Sequence, residues 1–117
     1  MADPTTNPTF WVKYWGVRGS IPAPGPDTVH YGGNTTSLQV QCGSRSLAID
    51  GGTGVRLFGD ALKPKMPVDV TFLMTHLHLD HVQGFPFFTP FLIPGNKFEI
   101  YSALHNGSAV EDVLRQL

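Results

Sequence analysis

Apolar residues in this chain come in short clusters of strand character, separated by breaks rich in glycine and proline. Residues 10–15, Phe-Trp-Val-Lys-Tyr-Trp, put β-branched and aromatic side chains ahead of a glycine and predict a strand. Residues 36–41 and 45–50 predict the two arms of a hairpin across Cys42-Gly43-Ser44. The period then changes: Val55, Leu57, Phe58, Ala61 and Leu62 make a helical stripe over 54–62 that Pro64 ends. Residues 68–75 are almost continuously apolar and predict a strand covered on both faces. A further short strand is expected over 97–101. Ser108, in capping position three residues before Glu111, predicts a helix over 108–117. Residues 19–33 carry Pro22, Pro24, Pro26 and several glycines, so they predict a loop. There is no internal repeat and no linker.

Composition adds bounds. At 117 residues the chain is one domain at most. A formal net charge of −1 gives no basic excess, so broad nucleic-acid binding finds no support. Cys42 is the only cysteine and cannot close an internal disulfide, which points to a reducing compartment. Residues 1–9 are polar, lack a charged-then-apolar leader pattern and predict a disordered or extended N-terminus. No run is long enough to span a membrane. Cytoplasm is the expected location.

The chemistry concentrates in His76-Leu77-His78-Leu79-Asp80-His81, directly after the apolar run 68–75. Imidazole and carboxylate are donors that suit zinc, iron or manganese rather than calcium. A strand continuing to about Leu79 would send His76, His78 and Asp80 to one side, and Leu77 and Leu79 into apolar packing. His81 breaks the alternation and marks a turn, with a short helix beginning near Asp80. Asp80 and His81 would then reach a different point from His76 and His78. That geometry suggests two metals, about 3.5–4 Å apart as in two-metal hydrolytic sites.

This hexapeptide resembles the signature of the metallo-beta-lactamase superfamily. Leu47-Ala48-Ile49-Asp50-Gly51-Gly52-Thr53-Gly54 resembles the family's strand ending in an Asp-x-Gly turn. The segments Tyr14-Trp15-Gly16-Val17-Arg18-Gly19-Ser20-Ile21-Pro22 and Tyr31-Gly32-Gly33-Asn34-Thr35-Thr36-Ser37 resemble a branch near the tRNA 3′-processing ribonucleases and cyclic-nucleotide phosphodiesterases. The resemblance implies an α/β fold, a mixed sheet with flanking helices, forming half of a four-layer αββα sandwich. Residues 10–117 would be the N-terminal part of such a domain. The family's second half supplies a further His, a bridging Asp and a last His. Nothing after His81 resembles them; His105, in Leu104-His105-Asn106-Gly107, reads as a surface turn. The resemblance therefore implies a site completed by residues beyond this chain. A lone half would expose the inner face of its sheet, which makes a homodimer an expected partner arrangement.

The remaining residues carry paired readings. Asp50 would hydrogen-bond the metal loop and keep its ligands oriented, or be a simple turn aspartate. Thr75 would anchor the loop through its hydroxyl, or merely end a strand. Arg18 would meet a substrate phosphate, or be a structural arginine. Asn34 would present its amide to substrate, or serve turn chemistry, the safer reading. The aromatic segment 84–95 would wall a substrate pocket or form core and interface, with core and interface favoured. His30 is too far from the cluster in sequence to assign.

The resemblance implies a phosphodiesterase in which activated water attacks phosphorus in line. His76, His78, Asp80 and His81 would be metal ligands. Asp80 would also orient the nucleophile as the catalytic residue. Two divalent ions are expected, zinc first, with manganese or iron as alternatives. Redox di-iron relatives tend to carry a carboxylate where His78 stands, so an all-nitrogen first site favours hydrolysis. The substrate would be a small phosphodiester or nucleotide. The competing expectations are a non-catalytic half domain with a partial metal site, and an RNA-processing nuclease.

Overall fold

A computed structural model describes residues 9–104 and 107–117. Its centre is a five-stranded mixed sheet in the sequential order β1 (Phe10–Gly16), β2 (Ser37–Cys42), β3 (Arg45–Ile49), β4 (Asp69–Leu73), β5 (Lys97–Tyr101). The first three strands run antiparallel; β3–β4 and β4–β5 pair parallel. Each parallel pair requires a crossover. Helix α1 (Val55–Leu62) supplies the first, and the segment holding α2 (Leu79–Val82) the second; α3 (Val110–Leu114) follows the last strand. The protein is thus mixed α/β, and among the described residues no helix is long and apolar enough to cross a membrane.

Local sequence accounts for most elements. Gly43 takes φ 59° in the β2–β3 turn, a conformation glycine adopts without steric cost. In α1, Val55, Phe58, Gly59 and Leu62 are buried, the i, i+3, i+4, i+7 face of an amphipathic helix. Helix α3 starts later than its expected cap: Ala109, in extended conformation, holds the cap position without a side-chain bond. Residues 19–33 form an ordered loop around a 3-10 turn at Pro26–Thr28. Its ends are joined by the Ala23 amide donating to the Gly33 carbonyl at 2.9 Å.

Among the described residues, only one face of the sheet is covered. Ala48, Val70 and Phe72 point into a core with Val55, Phe58, Phe85 and Phe88. Phe72 is its hub, with five phenylalanine rings centred 5.2–6.5 Å away. The aromatic segment 84–95 is divided: Phe85, Phe88 and Pro90 are buried in the core, whereas Pro86, Phe87 and residues 92–95 are exposed.

The opposite face corrects the expectation for 68–75. Strand β4 alternates between buried and open positions, with Leu73 42% exposed. One row across the sheet pairs Tyr14, Leu38, Ile49, Leu73 and Tyr101, and Phe10 and Val12 lie on the same side of β1. Phe10 and Tyr14 are more than 60% exposed. Strand character came from composition; covering came from whether anything packs on each side.

Candidate metal centre

The histidine-rich segment leaves the sheet at the carboxyl end of β4, beside the carboxyl end of β3. Strand β4 stops at Leu73 rather than running to Leu79, so strict alternation does not govern the loop. Leu77 is nevertheless buried and anchors the loop in the core, while Leu79 is 65% exposed. The reason is the helix α2, which begins at Leu79 and rotates that side chain outward.

Within this bend, ligand-type atoms of His76, Asp80 and His81 all lie within 4.8 Å of one another. Nε2 of His81 is 3.4 Å from Oδ2 of Asp80. The ring of His76 is centred 4.0 Å from that of His81 and 4.6 Å from that of His78, which it meets edge-on. The close trio thus takes His76 together with Asp80 and His81, and His78 stands alongside. Alternation had paired His76 with His78 instead.

Asp50 holds this arrangement from behind. It ends β3 in a left-handed conformation, φ 62°, and is 1% exposed. Its Oδ1 accepts the Thr75 amide at 2.8 Å, and its Oδ2 accepts the Thr75 hydroxyl at 2.7 Å and faces Nδ1 of His81 at 2.7 Å. A carboxylate only accepts, so Nδ1 of His81 carries a proton, and its Nε2 faces the cluster. The single hydroxyl proton of Thr75 goes to Asp50. The 3.1 Å contact between Thr75 Oγ1 and Nδ1 of His76 then needs the proton on His76, which frees Nε2 there as well.

The His81–Asp80 contact follows from the same accounting. With Nδ1–H committed to Asp50, Nε2 is the nitrogen left to face a carboxylate oxygen at 3.4 Å. A second ring proton or a shared cation would each make that contact attractive. Two bonds of about 2.0–2.2 Å at a tetrahedral angle span about 3.4 Å, so the separation fits two ligands of one zinc-like ion. The donor set and the tautomers fit a divalent metal.

Other groups tune the trio. The Ser20 amide donates to Oδ2 of Asp80 at 2.9 Å, from a residue at φ 73°. That bond is the main cause holding the Asp80 carboxyl below its ordinary value, opposed by burial and aided by His81. Burial, then the charges of His81 and His78, push His76 below the usual imidazole value. Backbone packing brings the elements this close. A Cβ on Gly52 would fall 2.5 Å from the Asp80 carbonyl oxygen, and one on Gly51 would meet the Phe85 ring at 2.4 Å. The Gly51 amide donates to the His81 carbonyl at 2.7 Å, tying the end of β3 to α2.

The other sequence-derived residues lie apart from the trio's contacts. Asn34 is a fastener: its carbonyl accepts the Val17 and Arg18 amides, and its Oδ1 accepts the Thr53 hydroxyl at 3.1 Å. Arg18 donates from Nε to the Ile21 carbonyl at 2.9 Å and lines a cavity with His30 and Tyr31. His105 lies outside the described residues. Sequence reasoning missed Ser20, sixty positions from Asp80. It also missed the reciprocal pair in which the Thr35 and Thr53 amides each donate to the other's hydroxyl oxygen at 2.8 Å. A serine after glycine in a proline-rich loop gives no hint of such a contact.

Comparison of the chain with family models, with curated proteins and with solved structures gave no match. The functional reading therefore rests on the geometry and chemistry of this bend.

Proposed function

We propose that the chain is the metal-binding half of a metallo-beta-lactamase-like hydrolase acting on phosphodiesters. Its mixed sheet would then form one half of an αββα sandwich, and residues beyond it would complete the site. The observation carrying this reading is the 3.4 Å separation of His81 Nε2 and Asp80 Oδ2, with His76 beside them. Of the donors, His76, Asp80 and His81 would hold one ion, and His78, next to His76, would contribute to a second. When bound, divalent ions (zinc first, manganese or iron otherwise) make water reactive near neutral pH and offset phosphoryl charge. Asp50 and Thr75 fix the imidazoles so that Nε2 of each faces the reacting region. Asp80, held by the Ser20 amide, would accept a proton from an attacking water and orient it.

The test is metal content with turnover. Protein reconstituted with zinc and freed of excess should hold close to two equivalents by elemental analysis, and should hydrolyse bis(p-nitrophenyl) phosphate once the residues that complete the site are supplied. His76→Ala and Asp80→Ala should each lower the zinc content and abolish turnover. Less than one weakly held equivalent and no turnover would end the enzymatic reading for this chain.

A second reading has its own support. The uncovered apolar face, with Phe10 and Tyr14 more than 60% exposed, favours a half domain that associates with another copy or a missing half. Under that reading the His81–Asp80 contact holds a proton rather than a metal. An RNA-processing role is disfavoured by the net charge of −1. A lone cysteine agrees with a cytoplasmic setting.

A further inference from the structure

We infer that the cavity bordered by Arg18, Asp27, His30 and Tyr31 is a nucleobase subsite that prefers guanine. The inference rests on the phosphodiester reading for its link to catalysis, but its binding test does not. The cavity measures about 340 Å³, within the range of small-molecule pockets, and Gly19 forms part of its wall. The next residue, Ser20, gives its amide to Asp80, so the loop that walls the cavity also touches the metal-type cluster. A nucleotide phosphate at the cluster would carry its base toward this loop.

The lining matches a base in three respects. Tyr31 is 80% exposed and braced by the His30 ring, with centroids 4.4 Å apart at 83°. A held, solvent-facing aromatic ring is a stacking platform. Asp27 makes no hydrogen bond or ion pair with the described residues. A carboxylate accepts in parallel from two adjacent N–H groups, and among the bases guanine presents such a pair, N1–H with the N2 amino group. Arg18, its Nε fixed by the Ile21 carbonyl, keeps terminal N–H donors for anionic or carbonyl oxygens. The loop is preorganised: the Thr28 hydroxyl donates to the Ala23 carbonyl at 2.6 Å, and the Gly32 amide to the Thr28 carbonyl at 2.7 Å. The other rich aromatic cluster, Phe85, Phe88 and Phe91, is committed to the core.

The experiment is titration calorimetry of the intact chain with guanosine 5′-monophosphate, adenosine 5′-monophosphate and ribose 5-phosphate. Guanosine monophosphate should bind tightest and ribose 5-phosphate weakest. Tyr31→Ala should weaken guanosine monophosphate binding about tenfold or more, without changing metal content or melting temperature. Asp27→Asn should erase the guanine-over-adenine preference while leaving stacking intact. Equal binding of all three probes, or a Tyr31→Ala variant that binds guanosine monophosphate like the parent, would overturn the subsite. Binding that depends on Tyr31 in a chain holding no metal would keep the subsite and remove the hydrolase reading. Two equivalents of zinc with no base preference would do the reverse.

Discussion

Nδ1 of His81 stands 2.7 Å from Oδ2 of Asp50, and that same oxygen accepts the Thr75 hydroxyl at 2.7 Å. One buried carboxylate thereby sets the tautomer of His81 directly and that of His76 through Thr75. Its position depends on a left-handed residue at the end of β3, which Asp and Asn tolerate better than most side chains.

Asp50→Asn should keep the fold, because asparagine accepts the same backbone conformation. Its amide group would set donors against the protons of His81 and Thr75. Zinc affinity should fall about 10–100-fold, as with other supporting groups of metal ligands, measured by competition with a chromophoric chelator. Asp50→Ala should in addition destabilise the chain by roughly 1–3 kcal/mol, since it strands buried donors, read from urea unfolding.

Acidification should act on the trio in two stages. His76 has its folded value depressed below 6.5, so the fold favours the neutral ring. The charged ring is the disfavoured form, and stability should decline as pH falls from 6.5 through that lower folded value. Asp80 is depressed below 3.8. Its contribution should be complete above 3.8 and vanish as pH drops through its folded value. Metal binding should consequently persist below pH 6.5 before failing. A zinc titration whose midpoint lies at or above 6.5 would contradict the burial and charge effects on His76.

His76 and His78 should not be equivalent. His76 belongs to the close trio, whereas His78 touches it through the His76 ring. His76→Ala should remove the tighter zinc equivalent and His78→Ala the weaker one, resolved by stepwise calorimetric titration. Loss of the tighter equivalent in His78→Ala instead would mean that the alternation-based pairing describes the metal-bound state.

Phe72→Ala should be among the most damaging core changes. Phe72 is completely buried and meets rings from α1, β5 and the segment after α2. The expected loss is about 3–5 kcal/mol in chemical denaturation, a large share of a small domain's total stability.

The open sheet face should be sticky. Replacing both Phe10 and Tyr14 with lysine should lower the sedimentation-average mass at high concentration and reduce binding of a hydrophobic dye, with the fold retained by circular dichroism. An unchanged mass and dye signal would show that association, if any, uses another surface.

Elements governed by neighbours in sequence were readable in advance. The hairpin, the stripe of α1 and the strand 97–101 each depend on turn chemistry or on the side-chain period of a single segment. The cap of α3 and the length of β4 were misjudged. Ser108 lies one residue before the cap that forms, and β4 stops once its partners β3 and β5 end with it. The short helix expected near Asp80 forms as α2 one residue earlier, and it turns Leu79 outward, against the apolar packing expected for that residue.

The sequence by itself determined the donors, since six consecutive positions bring three imidazoles and a carboxylate together whatever the fold. It also determined the strand-rich, mixed α/β character. Tertiary structure decided which donors converge, which tautomers they hold and which sheet face is covered. Asp50 lies 31 positions from His81 and Ser20 lies 60 from Asp80, so their bonds exist only after β3, β4 and the loop before β2 have packed. Hydrogen bonds have a range of about 3 Å, and no local pattern encodes a partner that folding must first carry into reach.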